Sequence, residues 1–180
     1  MSENKYKKYI KWFHTHKTAL RWFRFLSKVL PGMFVLAYGF LLFSLIIAIF
    51  LSYNQQQNSI DYFKYIGTLV KITIVPLVVV VSVTILRKVS DSKRPYEEFN
   101  FKPLLARKKH GESFPSRHIA CASVISMVIL SVSAVWVLGI VFFLLTLLLA
   151  AMRVISGMHY VRDVVVSLGI GIIAGLFIFL

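Results

Sequence analysis

The sequence has a single cysteine, Cys121, and only seven acidic residues among its 180 positions. One cysteine excludes an internal disulfide and any cysteine-based metal cluster. The few carboxylates form no cluster near the polar motifs described below, where a magnesium ion would need several of them. The sequence therefore predicts a protein without a bound metal or other cofactor.

Positive charge and apolar residues are abundant instead. Lysine and arginine number 21 and the net charge is +14. The basic residues gather beside long apolar runs, a pattern that indicates anionic lipid surfaces and a phosphorylated ligand, and not nucleic acid. The sequence predicts no particular oligomeric state.

Apolar residues make up 58% of the chain, and the mean hydropathy is +0.75. Runs long enough to cross a bilayer recur, so we predict an all-α, multi-pass bundle in the cell membrane. As one helix, the apolar stretch 116–152 would measure roughly 55 Å, which is longer than a hydrocarbon core of about 30 Å. We expect it to turn back near Ser133 to Trp136. With this turn, the sequence predicts five spans, at about residues 33–53, 65–86, 117–134, 136–152 and 164–180.

The first 30 residues are basic and amphipathic. Trp12, Ala19, Phe23, Leu26 and Leu30 recur at roughly helical spacing among eight lysines and arginines. This pattern predicts a helix lying in the membrane interface, and Pro31-Gly32 is expected to end it. A disordered basic tail is the alternative. The segment lacks the uninterrupted apolar core of a signal peptide. We thus divide the chain into a basic segment, 1–30, and a transmembrane domain, 31–180.

The predicted spans bring the polar segments 87–115 and 153–163 to one face of the membrane. Together with the first 30 residues and Arg117, that face holds 19 of the 21 lysines and arginines. The positive-inside rule predicts a cytoplasmic location for it. We expect residues 4–30 to stay on this face, because moving eight cations across the bilayer is costly.

The stretch 152–163 carries the pattern R-x5-H-x3-D in Arg153, His159 and Asp163. On a helical turn, the four-residue step from His159 to Asp163 puts imidazole and carboxylate within reach of each other. The carboxylate would fix the tautomer and leave the other ring nitrogen able to attack an electrophile. A nearby guanidinium suits phosphate oxygens. The plainer alternative is a juxtamembrane loop with a helix-end arginine and a surface histidine.

Two further clusters lie on the same face. Arg87 and Arg94 follow the second span, and Ser116 and His118 begin the third. Ser116 is a natural N-cap, and a helix N-terminus flanked by arginines can bind phosphate. His118 could donate a proton to a departing alkoxide. Taken alone, a capped helix with a polar first turn explains Ser116 and His118 equally well.

Together, the three clusters resemble the signature of the type-2 phosphatidic acid phosphatase superfamily, K-x6-R-P, P-S-G-H and S-R-x5-H-x3-D. Here they read Arg87-x6-Arg94-Pro95, Pro115-Ser116-Arg117-His118 and Met152-Arg153-x5-His159-x3-Asp163. The resemblance implies His159 as nucleophile, Asp163 as its orienting carboxylate and His118 as general acid. It implies that the phosphate is held by Arg87, Arg94, Ser116, Arg153 and the backbone N–H of Arg117, without a metal.

Three positions depart from the family pattern. Arg87 replaces lysine, which changes a point charge into a planar fork. Met152 replaces serine and removes a hydroxyl beside Arg153. Arg117 replaces glycine and adds a cation at the phosphate site. The third change favours a diphosphate or a second anionic group, and it is equally compatible with weakened catalysis.

The resemblance leads us to expect a membrane enzyme that hydrolyses a lipid phosphomonoester or diphosphate through a phosphohistidine. Candidate substrates are polyprenyl diphosphate, which Arg117 favours, phosphatidylglycerol phosphate and phosphatidic acid. A lipid-phosphate binder or transporter without turnover is one alternative, and a phosphoryl transferase of the same fold is another. Bacterial members of the resembling family usually work on the outer face of the membrane, which conflicts with the cytoplasmic location predicted from charge.

Overall fold

Helices make up nearly all of the computed structural model, which describes residues 1–54, 59–105, 110–132 and 136–180. No strand occurs in these ranges, which confirms the all-α prediction. The helices are α1 (Glu3–Thr15), α2 (Lys17–Asn54), α3 (Ser59–Ser90), α4 (Pro95–Glu98), α5 (Arg117–Val132), α6 (Trp136–Ile155) and α7 (Val161–Leu176).

Three helices, α2, α3 and α6, are long and apolar enough to cross a membrane. The shorter α5 is also apolar, and α5 and α7 each have 16 residues, or about 24 Å of helix. The chain is thus a multi-pass membrane protein. The predicted turn near Ser133 falls between α5 and α6, and residues 133–135 lie outside the described residues. Helix α7 ends at Leu176 and not at residue 180.

Helix α5 is the centre of the bundle and contacts α2, α3, α6 and α7. Its residues from Ala122 to Ile129 are all buried. Helix α7 approaches α5 closely because Gly171 and Gly175 have no side chains; a Cβ at Gly171 would lie 2.5 Å from that of Ser123. Small residues allow such close approach between membrane helices. The outer helices expose large apolar side chains, as expected of surfaces that face lipid.

The predicted break at Pro31-Gly32 is wrong, because α2 continues through both residues. Proline removes one backbone hydrogen bond from a helix, yet packing against neighbouring helices can keep such a helix intact. The α2 residues buried in the bundle recur at helical spacing on both sides of Pro31. Around Pro31 they are Leu20, Phe23, Ser27, Leu30 and Phe34, and Leu45 and Ser52 are buried further along the helix. The continuous packed face holds the two halves in one helix.

Helix α3 also continues through a proline, Pro76. The ring nitrogen of Pro76 cannot donate to the carbonyl of Ile72, four residues earlier. The hydroxyl of Tyr38 on α2 donates to that carbonyl at 2.8 Å instead. A neighbouring helix thus supplies the hydrogen bond that the proline removes, which lets α3 cross without a break.

The N-terminal segment lies on the same side of the bundle as the polar motifs. The Tyr6 hydroxyl donates to the carbonyl of His159, and Arg24 Nε donates to the carbonyl of Leu104. The packed face of α1 includes Tyr6 and Ile10. Trp12 and Leu26, assigned to the apolar face from sequence, are 48% and 38% exposed. Their spacing fitted a single helix over 4–30, whereas the helix ends at Thr15 and restarts at Lys17.

We expect positions 5 and 88 to lie on one side of the membrane and position 53 on the other. Cys121→Ser removes the native thiol, and single cysteines then replace Lys5, Lys88 or Tyr53, which are all exposed. An impermeant thiol reagent applied to intact cells should label the first two alike and the third oppositely. Opposite labelling of positions 5 and 88 would mean that the chain crosses the membrane between them once more or once less. Lys108, another candidate position in the predicted loop, lies outside the described residues.

Candidate active site

Arg94 joins two loops that are far apart in sequence. Its guanidinium is fully buried. It donates to the carbonyls of Gly111, Glu112 and Met158, each at 2.9 Å. The backbone of Arg94 and that of Gly111 both donate to the carboxylate of Glu97. These bonds hold the segment before α5 against the segment between α6 and α7.

Arg87, in the last turn of α3, is buried beside the same segment. It donates to the carbonyls of Glu112 at 2.6 Å and Pro115 at 3.3 Å. The Glu112 carboxylate lies 3.8 Å from Nη2 of Arg87. Both predicted phosphate ligands of the first motif therefore also hold the backbone that leads into α5.

His159 is buried, and its Nδ1 lies 2.8 Å from the carbonyl oxygen of Ser113. A carbonyl can only accept, so Nδ1 carries the proton and Nε2 has the lone pair. The nearest Asp163 oxygen is 3.7 Å from Nδ1, longer than a hydrogen bond. That oxygen accepts hydrogen bonds from the Ser113 hydroxyl at 2.6 Å and from the Tyr160 N–H at 3.0 Å. Asp163 therefore contacts Ser113 and Tyr160 at shorter distances than it contacts the imidazole of His159.

The buried position keeps the His159 ring neutral. Burial lowers its pKa from 6.5 to about 4, because the charged ring loses its water. Asp163 opposes this change and favours the charged ring, whereas the positive charges of Arg94 and Arg87 lower the pKa further. A neutral ring with its lone pair on Nε2 is the form of histidine that acts as a nucleophile.

Ser116 is buried at the start of α5, and its hydroxyl makes no hydrogen bond to any part of the chain that the structure describes. The predicted side-chain N-cap is therefore wrong. The N–H of Ile119, which such a cap would bind, already donates to the Ser116 carbonyl at 3.1 Å. The N–H of Ser116 donates to the Ser167 hydroxyl at 2.6 Å. The same N–H lies 3.3 Å from the carbonyl oxygen of Asp163. The first turns of α7, which carry Asp163 and Ser167, thus fix the position of Ser116.

Arg153 is buried in the last turn of α6. Its carbonyl accepts from the Met158 N–H at 3.3 Å. Met152, where the family pattern has serine, packs into the apolar core of the bundle. The following turn needs Gly157, whose φ is +76° and whose missing side chain leaves room for the Phe101 ring.

Arg117 and His118 differ from the other predicted site residues because Arg117 is exposed and His118 is half-buried. Both line a cavity of about 360 Å³ between α2, α3, α5 and α6. The rest of its wall is apolar except for a thiol, and consists of Pro31, Phe34, Val35, Val80, Cys121, Ala122, Ile125 and Leu149. The cavity therefore combines a polar end with a wall suited to hydrocarbon.

Several residues that shape the site were not singled out from the sequence. Ser113 acts through its backbone carbonyl, which no side-chain pattern reveals. Ser167 follows Asp163 by four residues and so lies on the same face of α7, a spacing that offered a signal. Tyr6 precedes His159 by 153 positions, and no local pattern links them.

The described residues contain no group of three or more His, Cys, Asp and Glu side chains placed to hold a metal ion. Their polar atoms instead suit an anion. Buried arginines, a buried serine hydroxyl and a neutral histidine line the junction of the two loops. The arrangement combines positive charge with an imidazole nitrogen that carries a lone pair.

The family model of the PAP2 superfamily matches residues 68–180. The fold is similar to that of Aquifex aeolicus LpxE, with 23% identity, a TM-score of 0.55, and coverage of 88% of this chain and 93% of that one. A PAP2-type phosphatidylglycerolphosphate phosphatase from Bacillus subtilis is 20% identical, with a TM-score of 0.46 and coverage of 96% and 90%. No curated protein matches. With more than half of its length matched by the family model, the chain belongs to the PAP2 superfamily.

Proposed function

We propose that the protein is a lipid phosphatase that hydrolyses a phosphomonoester or diphosphate of a membrane lipid through a phosphohistidine on His159. Membership of the PAP2 superfamily supports the reaction class. The observation that carries the mechanism is the buried imidazole whose Nδ1–H is held by the Ser113 carbonyl. That bond directs the lone pair of Nε2 away from the loop backbone.

In the first step, Nε2 of His159 attacks phosphorus and the bond from phosphorus to the lipid oxygen breaks. His118 gives its proton to that departing oxygen. The phosphorylated ring becomes positively charged, and the Asp163 carboxylate at 3.7 Å stabilises it. Arg87, Arg94, Arg153, the Ser116 hydroxyl and the Arg117 N–H stabilise the phosphoryl oxygens in this step.

In the second step, water attacks the phosphohistidine and His118 takes a proton from it. The bond between nitrogen and phosphorus breaks, inorganic phosphate leaves, and His159 returns to its neutral form. His118 is then protonated again for the next turnover. No step requires a metal ion or a redox partner, because the histidines carry both the nucleophile and the proton.

The apolar cavity beside His118 supports a lipid substrate. It reaches from the polar end at Arg117 to Ile125, two helical turns deeper along α5. A lipid whose chain lies in this cavity would bring its phosphate to His118. The outer helices expose large apolar side chains, which suits a substrate that remains in the bilayer. Among the candidate lipids, Arg117 favours polyprenyl diphosphate, because its cation can bind a second phosphate.

The decisive experiment measures phosphate release from a panel of lipid phosphates in detergent, with EDTA present. We expect release by the wild type and inhibition by vanadate, which mimics five-coordinate phosphorus. His159→Ala should lose at least about a thousandfold in kcat, as expected for removal of a nucleophile.

The same assay distinguishes the alternative functions. Lipid binding without phosphate release would support the binder or transporter. Transfer to another acceptor without free phosphate would support the transferase. Activity restored only by magnesium would contradict the mechanism.

The pH dependence should reveal the low pKa of His159. A ring with two protons cannot attack, so kcat/KM should stay level as the pH falls through 6.5 and should decline only near pH 4. Asp163 favours the charged ring. Asp163→Asn should therefore move this decline to lower pH while leaving a small residual rate. A decline centred at or above pH 6.5 would contradict a buried neutral nucleophile.

Arg117 should distinguish diphosphate from monophosphate substrates. If its guanidinium binds a second phosphate, Arg117→Gly should lower kcat/KM more on a diphosphate lipid than on a matched monophosphate. The loss of one charge-assisted hydrogen bond is worth about 10- to 150-fold. Lys102→Gly, which removes an exposed cation from the loop before α5, serves as the control. Equal losses on the two substrates would refute the second phosphate site.

A further inference from the structure

The N-terminal helix α1 touches the loop that carries His159. Tyr6 on this helix is fully buried, and its hydroxyl donates to the His159 carbonyl at 3.4 Å. Its ring stacks on that of Phe101 at 5.7 Å and lies 6.1 Å from that of Phe99. One turn later, Ile10 joins the apolar core. Helix α1 is therefore docked against the catalytic loop and is not a loose basic tail.

The loop between α6 and α7 has no regular structure of its own, so hydrogen bonds to its carbonyls hold its shape. Arg94 binds the Met158 carbonyl, and Tyr6 binds the next one, that of His159. Burial raises the pKa of Tyr6 to about 12, and the negative charge of Asp163 raises it too. The hydroxyl therefore keeps its proton and remains a donor throughout the physiological range.

The opposite face of α1 is positively charged. At 100° per residue, Lys5, Lys8, Lys11 and Trp12 lie away from the face that Tyr6 and Ile10 bury, and all four are exposed. Glu3, the one acidic residue of this helix, pairs with Lys7 at 2.5 Å. Lysines attract anionic headgroups, and an exposed tryptophan favours the interface.

Helix formation connects these two faces. Helix α1 has 13 residues, a length at which an isolated helix is marginal in water. Binding of the lysine face to a surface would favour the helical form, and that form presents Tyr6 and Ile10 to the bundle. Contact at one face therefore favours contact at the other, because both require the same folded helix.

We propose that α1 couples an anionic bilayer surface to the catalytic loop. Its lysine face binds anionic lipid headgroups, and Tyr6 on the other face then holds the backbone of His159 in the reactive position. Tyr6 is a positioning residue because it touches the loop and not the reacting phosphate. The proposal rests on the proposed function in one respect, which is that His159 is the reacting group.

The contact of Tyr6 is tested by Tyr6→Phe, which keeps the stacked ring and removes only the hydroxyl. We expect kcat to fall about threefold to tenfold, the usual effect of one lost hydrogen bond, with an unchanged KM and an unchanged Tm. Tyr9→Phe removes an exposed hydroxyl from the same helix and should match the wild type. A wild-type kcat in Tyr6→Phe, or a loss that follows a lower Tm, would overturn the positioning role.

The lipid arm compares vesicles of phosphatidylcholine alone with vesicles that also contain phosphatidylserine. Wild-type activity should rise several-fold in the anionic vesicles, and added salt should reduce the gain. Lys8→Gln/Lys11→Gln should lose this gain, and so should Tyr6→Phe. The control variant, Lys88→Gln/Lys93→Gln, removes the same amount of charge elsewhere on this side of the bundle. It should retain the activity gain in anionic vesicles. The coupling would be overturned if the Lys8→Gln/Lys11→Gln variant showed the same gain as the wild type. It would also be overturned if the control variant lost the gain to the same extent as the α1 variant.

A third readout does not need activity. In a Trp22→Phe/Trp136→Phe background, Trp12 is the only tryptophan, and its emission should shift to shorter wavelength in the anionic vesicles. Identical emission in both vesicle types would overturn lipid binding by α1. If the wild type releases no phosphate from any lipid, the proposed function fails, while this emission still decides whether the basic face of α1 binds the surface.

Discussion

A buried guanidinium must be hydrogen-bonded, because an unpaired charge in a membrane bundle is costly. Arg94 meets this requirement with carbonyls from two segments more than 40 positions apart in the chain. Arg87 adds two more carbonyls near the first of these segments. The position of His159 depends on this arrangement, since the segment fixed by Arg87 and Arg94 supplies the Ser113 carbonyl that orients its ring.

The same arginines affect the chemistry of the site. Their positive charges add to burial in keeping the His159 ring neutral, and a neutral ring is needed for attack on phosphorus. They also make the site attractive to a phosphate, whose negative charge would offset theirs. Structural and proposed catalytic roles therefore fall on the same side chains, so a variant of Arg87 or Arg94 should alter the loop and the phosphate site together.

The apolar part of the bundle determines what can reach this site. Close packing of α7 on α5 leaves no space between those helices at Gly171. The cavity that ends at His118 lies on another side of α5, toward α2, α3 and α6. Under the proposed function, a lipid in this cavity would place its chain along the apolar wall and its headgroup near Arg117. Helix α1 contacts the loop that carries His159 separately, through Tyr6.

The sequence by itself determined the helical membrane class and the residues of the three polar clusters, because apolar runs and motif spacing are local properties. It also determined their common face, which follows from counting spans. It could not predict the continuous helix through Pro31, the Ser113 carbonyl at His159, or the contact of Tyr6 with the loop that carries His159. Only the tertiary structure decided these features, because each depends on a packing surface or a backbone atom supplied by a distant part of the chain.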